Sequence, residues 1–454
     1  MYYCLVFYIY LEDYGMERKI DKHLDAWRIS ENRKPLLIRG ARQVGKTYSV
    51  RNQGKNFEHY LEVNFEEEKD IRKIFEGSLN PEVIVEKLSA FYRVPVIPGK
   101  TLLFLDEIQD CPQAISSLRF FYEKKPNLHI IAAGSLLEFA LESLPSLGVG
   151  RLGSLFMFPM SFHEFLISTG DEALAKAVSS ADFNTPIETA FHNRLIDRLR
   201  TFFIIGGMPE VVKNYILTGD LLKCQNIIDQ LLTNFIDDFA KYKKRAPVAR
   251  LEEVFRSISF QAGQKFKYSK VDPEISSAVL KDALELLVKA GLAYKIHHSS
   301  AQGIPLGAQT DPRKFKTALF DIGMHQRLLG LDLAEIIVAD DLDSINAGNI
   351  AEIFTALEIL SYGNPETRNQ LFYWHRESKS SNAEVDYILQ KGRQIIPLEV
   401  KAGTKGQMQS MRQFMAERDS EYGIRISLEN FSCFDKIKVL PLYAIYKLFD
   451  SGAL

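Results

Sequence analysis

The segment that most constrains the fold of this chain is residues 40–47, with the sequence GARQVGKT. It follows the apolar run PLLIR and precedes a helical pattern, which predicts a strand, a glycine-bounded loop and a helix. The glycines let the loop turn so that its backbone N–H groups can bind phosphate, and the lysine adds a positive charge. The segment therefore predicts an ATP site formed by Gly40, Ala41, Arg42, Gln43, Val44, Gly45, Lys46 and Thr47. A glycine-rich turn with a solvated lysine is the alternative interpretation.

A second segment, TLLFLDE at 101–107, supplies the acidic groups that such a site needs. A fully apolar strand ending in Asp106 can place this carboxylate near Mg²⁺, with the Thr47 hydroxyl as a second metal ligand. Glu107 is then placed to orient the attacking water. A further apolar strand, HIIAA, is followed by Gly134 and Ser135. Ser135 is a candidate for sensing the γ-phosphate, or alternatively a helix N-cap.

The composition limits the class of protein. The chain has 454 residues, 46% of them hydrophobic and 25% charged, which suits a globular protein of two to four domains. A formal charge of −2 excludes a uniformly basic surface, so any nucleic-acid contact must use local patches. The four cysteines form no CxxC pair, and no apolar stretch approaches the roughly 18 residues that cross a bilayer. A cytoplasmic protein with no membrane segment is expected.

The first fifteen residues are expected to lie outside the fold. MYYCLVFYIY is apolar, but no basic residue precedes it and no small-residue cleavage site follows, which argues against a signal peptide. Met16 opens an amphipathic segment with Ile20, Leu24 and Trp27 at helical spacing. Our hypothesis is that translation starts biologically at Met16.

Hydrophobic periodicity divides the rest of the chain. Residues 35–165 alternate apolar runs with helical patterns, as in a parallel α/β sheet, and residues 161–250 are mainly helical with a break at GGMP. A helical unit with two short strands follows, and then a long helix precedes three strands. The predicted strands are Pro35–Arg39, His59–Asn64, Thr101–Asp106, His129–Ala133, Ser154–Phe158, Leu292–His297, Thr317–Phe320, Leu371–His375, Glu384–Leu389 and Ile395–Lys401; the long helix is Ile350–Tyr362.

The sequence resembles the prokaryotic AAA-type ATPases that carry a C-terminal domain of unknown function. The matching stretches include RKPLLIRGARQVGKT, TLLFLDEIQDCP, AAGSLLE, GRLGSLFMFPMSFHEFL, GGMPEVV, KTALFDIG, GNIAEIFTALEIL and AEVDYILQKGRQIIPLEVKAG. The resemblance implies that residues 40–47 are the Walker A loop, Asp106 and Glu107 the Walker B pair, and Ser135 the first sensor. It also makes Arg151 a candidate for γ-phosphate contact, either in cis or from a neighbouring copy in a homo-oligomer.

Together these patterns predict an α/β protein with a P-loop NTPase parallel sheet. The predicted divisions are an extension at 1–15, an AAA-type ATPase domain at 16–165 and a helical lid at 166–245. A winged-helix-like domain at 246–335 and a restriction-endonuclease-like domain at 336–454 complete the expected organisation.

The C-terminal region carries a pattern typical of metal-dependent nucleases. Glu352 lies on the long helix, Asp386 on one predicted strand, and Glu399 and Lys401 on the next. Residues two apart on a strand share a face, so Glu399 and Lys401 project together. Two carboxylates with a lysine can hold Mg²⁺ and stabilise the charge of phosphodiester cleavage. The alternative is an ordinary strand whose solvent face alternates polar and apolar residues.

Two basic segments suggest contact with DNA. KYKKR at 241–245 is a compact cluster, and KFKYSK at 265–270 interleaves charge with aromatic rings ahead of a helix and a strand. Lysines of this kind suffice for salt-sensitive phosphate contacts. A solvated linker is the alternative.

Two readings of the function remain open. In the first, an ATPase cycle controls a DNA-engaging and DNA-cutting C-terminal region. In the second, the chain is a nucleotide-controlled switch or scaffold for a protein partner, and its nuclease-like domain is catalytically silent. A metabolic kinase fits less well, because no acceptor pocket is evident in the sequence.

Overall fold

A computed structural model describes residues 16–143, 150–243, 245–331, 347–376, 383–403 and 408–450. Its N-terminal part is built on a five-stranded sheet, the first sheet, in which every neighbouring pair is parallel. The strand order is β2-β3-β4-β1-β5. The strands are β1 (Leu36–Arg39), β2 (His59–Asn64), β3 (Thr101–Asp106), β4 (His129–Ala133) and β5 (Gly153–Phe156). The five strands predicted in this region are therefore confirmed: three have the predicted bounds, and the ends of β1 and β5 differ by one or two residues.

The first sheet is covered on both faces by helices. All residues of β3 and β4 are buried, which explains their uninterrupted apolar sequences. The helices of this part are α1 (Lys19–Ile29), α2 (Lys46–Gly54), α3 (Arg72–Gly77), α4 (Pro81–Tyr92), α5 (Pro112–Lys124) and α6 (Leu137–Ser143). Because the strands are parallel, the carboxyl ends of β1, β3 and β4 meet at one edge, where the loop at 40–47 also lies.

A helical region follows the first sheet. It contains α7 (Phe162–Ser168), α8 (Glu172–Ser180), α9 (Thr189–Ile205), α10 (Pro209–Thr218), α11 (Leu221–Asp238), α12 (Val248–Phe260) and α13 (Ser277–Lys289). The predicted break at GGMP is confirmed, since α9 ends at Ile205 and α10 begins at Pro209. Gly207 is required there, because a β-carbon would lie 2.1 Å from the Met160 carbonyl oxygen.

The second sheet has eight strands in the order β12-β13-β11-β10-β9-β8-β6-β7 and is mixed. Its strands are β6 (Ala293–Ser299), β7 (Thr310–Leu319), β8 (Leu371–His375), β9 (Glu384–Lys391), β10 (Gln394–Val400), β11 (Gly423–Ser427), β12 (Ser432–Phe434) and β13 (Ile437–Pro441). The associated helices are α14 (Ile322–Leu328), α15 (Ala347–Tyr362) and α16 (Gln409–Arg418), and 3₁₀ turns span Leu442–Phe449.

The second sheet crosses the predicted division at residues 335 and 336. Strand β6 pairs in parallel with β8, with Ile296 opposite Leu371 and His298 opposite Tyr373. Strands β6 and β7, which fall within the predicted winged-helix-like domain, are thus continuous with the C-terminal strands. The domain limits remain predictions, but the hydrogen-bonded sheet has no break there.

Some predictions fall outside the described residues, namely the extension at 1–15 and Lys244 of the first basic segment. Among the helices that the structure describes, none has both the length and the apolar character needed to span a bilayer.

Candidate functional site

The loop at 40–47 joins β1 to α2 through backbone conformations that favour glycine. Gly40 has φ 142° and Gly45, the residue before α2, has φ 97°. A β-carbon on Gly40 would lie 2.1 Å from the Met157 carbonyl oxygen, so no larger residue fits without rearrangement. The loop therefore turns tightly at the start of a helix, and a glycine-rich turn at a helix N-terminus is the arrangement that binds anions.

Lys46 lies inside this loop and not in solvent. Its Nζ donates hydrogen bonds to the carbonyl oxygens of Gly40 (3.0 Å) and Ala41 (2.7 Å). Burial lowers the pKa of Lys46 to about 8, against the opposing charges of Glu107 and Asp106. The lysine is thus held at the centre of the loop, where a positive charge would meet phosphate oxygens.

Thr47 and Asp106 are brought together by the first turn of α2 and the end of β3. The Thr47 hydroxyl donates to Asp106 Oδ2 at 2.9 Å. Burial raises the pKa of Asp106 to about 6, with the charge of Glu107 adding to the effect. A hydroxyl and a carboxylate are oxygen ligands of the kind that Mg²⁺ prefers, so this pair fits the metal.

Glu107 and Ser135 meet at the ends of β3 and β4. Glu107 has φ 48°, and its Oε2 accepts hydrogen bonds from the Ser135 amide and hydroxyl, both at 3.2 Å. Gln109 Nε2 donates to the same oxygen at 2.6 Å. These contacts hold the carboxylate next to Asp106 and link it directly to Ser135.

Arg151 is not brought to the loop. Strand β5 runs parallel to β1 with Gly153 opposite Leu36, so Arg151 precedes the amino end of β5 and lies at the edge of the sheet opposite the loop. Its guanidinium pairs with Glu123 of α5 at 2.6 Å. The arrangement offers no support for contact with a γ-phosphate within the same chain.

Arg18 is a residue of the site that the sequence did not reveal. Its guanidinium donates to the carbonyl oxygens of Val44 (2.7 Å) and Phe158 (2.8 Å), and its Nε pairs with Glu164 at 2.9 Å. The side chain is only 4% exposed. Arg18 therefore stabilises the loop from outside. Its partners are so distant in the sequence that no local sequence pattern indicates this role.

Helix α11 and the end of α13 contact the outer side of the loop. Arg42 forms an ion pair with Asp238 at the end of α11. Gly291 approaches so closely that a β-carbon there would lie 3.2 Å from the Ala41 amide nitrogen. The loop is thus in direct contact with the segment that leads into the second sheet.

The C-terminal candidates form a second polar cluster. Lys401 Nζ pairs with Glu399 Oε1 at 2.9 Å, and Asp386 Oδ2 accepts a hydrogen bond from the Val400 amide at 2.8 Å. Burial raises the pKa of Glu352, and the negative charge of Asp386 raises it further. The four residues singled out in the sequence therefore lie within electrostatic reach of one another.

Two further residues, Lys316 and Glu384, belong to this cluster and were missed in the sequence. Lys316 of β7 is 3% exposed and lies 2.7 Å from Glu384 Oε1 and 3.6 Å from Glu352 Oε2. Burial by itself would lower the pKa of Lys316, but the surrounding carboxylates outweigh this effect and raise the pKa. In the part of the chain that the structure describes, no three His, Cys, Asp or Glu side chains are arranged to hold a metal ion. A buried lysine occupies the position between the carboxylates.

Family comparisons divide the chain into three matched segments. Residues 32–166 match the AAA domain, residues 196–335 match a domain of unknown function designated DUF8612, and residues 347–445 match another, DUF4143. A curated relative, an uncharacterised protein of Haemophilus influenzae, is 24% identical over 388 residues, which is 80% of this chain and 81% of the relative.

A comparison with solved structures finds matches at 14% identity. A Walker-type ATPase of Pyrococcus abyssi matches with a TM-score of 0.45 over 69% of this chain and 96% of its own. The Orc1 protein of Aeropyrum pernix, solved with DNA, matches with a TM-score of 0.27 over 69% of this chain and 90% of its own. The replication initiator DnaA, solved with AMPPCP and single-stranded DNA, matches with a TM-score of 0.26 over 58% and 73% of the two chains.

Proposed function

We propose that this protein, which joins an AAA-type P-loop ATPase domain to the DUF8612 and DUF4143 domains, hydrolyses ATP with Mg²⁺. The observation that carries the proposal is the 2.9 Å contact between Thr47 and Asp106 beside the buried Lys46. This contact supports a role in metal binding for the two residues, because their oxygens are of the kind that Mg²⁺ prefers and lie beside the loop. The adjacent Glu107 then completes the set of groups needed to cleave the γ-phosphate.

Each residue has a defined role in the proposed reaction. The amides of residues 40–47 and Lys46 would bind the β- and γ-phosphates, and Thr47 and Asp106 would hold Mg²⁺. Glu107 orients the attacking water, and Ser135, bound to the Glu107 carboxylate, contacts the γ-phosphate. Bound Mg²⁺ supplies charge that neutralises the phosphates during transfer.

The proposal is tested by ATP turnover in two variants. Lys46→Ala should lose nucleotide binding, because the phosphates lose a donor and a full charge. Glu107→Gln should retain ATP but slow its hydrolysis by about a hundredfold or more. Lys176→Glu, an exposed change on α8, serves as the control with unchanged turnover. Wild-type turnover in both site variants would refute the assignment.

The contacts of the loop with α11 and Gly291 support control of the C-terminal region by the nucleotide. A phosphate bound inside the loop would draw the Lys46 ammonium away from the carbonyl oxygens of Gly40 and Ala41. A resulting shift of the loop would act through its outer contacts on the segment that enters the second sheet. If that region engages DNA through its basic segments, double- or single-stranded DNA should stimulate ATP turnover. Arg151 would act only in trans, which requires a homo-oligomer.

DNA cleavage is a second candidate function, supported by the order of elements in the C-terminal region. Glu352 lies on helix α15, Asp386 on β9 and Glu399 on β10, with Lys401 directly after that strand. This order of acidic and basic residues is the one that the sequence suggested for a nuclease-like site, and it supports the proposal. With Mg²⁺ or Mn²⁺, the protein should nick DNA, and Lys401→Ala should abolish the nick.

The cluster also supports the alternative of a catalytically silent domain. Lys316 neutralises carboxylates that would otherwise attract a divalent ion. Under this reading no strand is cut, DNA leaves ATP turnover unchanged, and ATP alters the binding of a protein partner or the oligomeric state. A single reaction that records both ATP turnover and DNA cleavage separates the two functions.

A further inference from the structure

A cleft of about 660 Å³ lies between the first sheet and the second. Its walls are the ends of β1 and β5, one side of α13, strands β6 and β7, and the loop at 368–370. We call it the interdomain cleft. Its volume is within the range of sites for small molecules and single nucleotides, about 300–1,000 Å³.

The interdomain cleft is distinct from the proposed ATP site. Gly40 and Ser135 border it, but Lys46, Thr47 and Asp106 do not line it. An occupant would therefore lie next to the end of the phosphate loop without filling the loop itself. It would touch both the first sheet and the segment that leads into the second sheet.

Aromatic rings form much of the wall of the interdomain cleft. Phe158 and Tyr294 are in contact, with ring centroids 5.9 Å apart. Phe156 of β5 and Phe315 of β7 also line the cleft. The Lys295 ammonium lies 4.7 Å from the centre of the Phe315 ring. Flat, apolar surfaces of this kind favour stacking with another ring, such as a nucleobase.

The charged lining of the cleft is mainly positive. It includes two carboxylates, Glu138 and Glu285, and six cations: Arg39, Lys281, Lys289, Lys295, Arg313 and Arg368. Some of these are paired already, as Lys295 is with Glu285 and Lys289 is with Glu142. Within the described ranges, Lys281 and Arg368 have no carboxylate at ion-pair distance. An anionic ligand would meet this excess of positive charge.

Two of the cations, Arg39 and Arg368, lie close enough to affect each other. Its Nε is buried without a hydrogen bond and lies 3.5 Å from the Glu138 carboxylate, which is also without a hydrogen bond at Oε1. Burial lowers the pKa of the Arg39 guanidinium, and the charge of Arg368 lowers it further, since the two like charges face each other. A phosphate between Arg39 and Arg368 would relieve this repulsion and offer an acceptor to the Arg39 Nε–H group.

We infer that the interdomain cleft binds a nucleotide unit, with its base against Phe158 and Tyr294 and its phosphate at Arg39, Arg368 and Lys281. The unit can be a free mononucleotide or one residue of a single strand, because both present the same ring and phosphate. If the ligand is a nucleic-acid single strand, the inference rests on the proposed engagement of nucleic acid and identifies the cleft as the binding site. In either form it is independent of ATP hydrolysis.

The test uses the full chain with Lys46→Ala, so that the ATP site does not contribute. Fluorescence anisotropy would measure binding of two probes, a labelled adenosine monophosphate and a labelled oligothymidine of about a dozen nucleotides. At least one probe should bind. Adding Arg368→Glu should weaken that binding by about tenfold or more, because a cation that contacts phosphate becomes an anion.

A matched control and a second variant make the result decisive. Lys176→Glu makes the same kind of charge change at an exposed position far from the cleft lining and should leave binding unchanged. Lys281→Glu, on the exposed side of α13, should weaken binding even if Arg368→Glu reduces thermal stability. Binding of the mononucleotide alone would identify a small-molecule site, and binding of the strand alone a nucleic-acid site.

Two outcomes would overturn the inference. One is that neither probe binds the Lys46→Ala protein, and the other is that both charge reversals bind as tightly as their parent. ATP turnover of the wild-type protein is measured separately. If the wild-type protein shows no ATP turnover, the proposed ATPase function is refuted. The binding result for the interdomain cleft does not depend on that outcome.

Discussion

At the residue scale, the protonation of Asp106 should control the binding of Mg²⁺. Burial raises the pKa of this carboxyl group to about 6, and the metal requires its ionised form. We expect the affinity for Mg²⁺ with nucleotide to be constant above this value and to fall about tenfold for each pH unit below it. Titrations of Mg²⁺ between about pH 5 and pH 8, read by binding of labelled ATP, would measure the change.

Asp106→Asn is the control for this pH dependence. The amide has the same shape but neither charge nor titration in this range, so Mg²⁺ affinity should be low and nearly independent of pH. A wild-type profile as flat as that of the variant would show that Asp106 does not hold the metal.

The same raised pKa predicts an effect on stability. The folded-state pKa of Asp106 lies above the unfolded value of 3.8, so the protonated form is favoured by folding. This stabilisation is complete below the unfolded pKa and is lost as the pH rises through about 6. Asp106→Asn should therefore increase the free energy of unfolding at about pH 8 by up to about 3 kcal/mol. Denaturant unfolding should show the difference shrinking toward zero in acid.

The residues of the loop at 40–47 could be predicted because the spacing of its glycines, lysine and threonine is enough to indicate which groups they contact. Lys46 and Thr47 follow directly from the glycine-bounded motif, and Asp106 ends a buried strand of the same parallel sheet, whose carboxyl end lies at the same edge as that of β1. Arg18 and Lys316 were not predictable. Arg18 meets Glu164 across 146 residues, and Lys316 is buried only because strands from different parts of the chain surround it.

At the scale of elements, Asp321 should be essential for joining α14 to the break between α9 and α10. Its Oδ1 accepts a hydrogen bond from the Met324 amide at 2.9 Å, and its Oδ2 accepts one from the Gly207 amide at 2.7 Å. The side chain is 2% exposed. Asp321→Ala would leave both buried amides unpaired, so we expect a loss of about 2–4 kcal/mol in unfolding free energy.

Asp220 provides a matched comparison, because it also caps a helix. Its carboxylate accepts hydrogen bonds from the amides of Leu222 and Lys223 at the exposed start of α11. Water can replace these contacts, so Asp220→Ala should cost only about 1 kcal/mol. Equal losses in the two variants, measured by urea unfolding, would show that the buried contact with Gly207 contributes nothing.

Most elements could be predicted where burial imposes a regular pattern. The apolar runs of β1, β3 and β4 identified their strands within a residue or two. Strand β7 was predicted from Thr317 but begins at Thr310, since its first half, TDPRK, is polar and largely solvent-exposed. That half of β7 is held by backbone hydrogen bonds to β6. Because such bonds do not depend on the polarity of the side chains, they leave no periodic pattern of hydrophobic residues in the sequence.

At the scale of the whole molecule, the parts are less separate than the sequence suggested. One hydrophobic cluster runs from Ile20 of α1 to Leu448 near the end of the described chain. The edge strand β5 also binds the C-terminal region, since the Phe156 amide donates to the Pro365 carbonyl oxygen at 2.7 Å. Such contacts join residues hundreds of positions apart, and a hydrophobic pattern cannot indicate which partner a strand will choose.

This continuity predicts that the chain cannot be divided at the expected domain limit. A fragment of residues 16–335 would lose β8 and leave one edge of β6 unpaired, with the buried Ile296 exposed beside it. Unpaired, apolar strand edges promote aggregation. We expect the fragment to be insoluble or aggregated, and co-expression with residues 336–454 to restore a soluble complex in which β6 regains its partner. Size-exclusion chromatography distinguishes the outcomes, because a fragment that is monomeric and unfolds cooperatively alone would mean that β6 needs no partner strand.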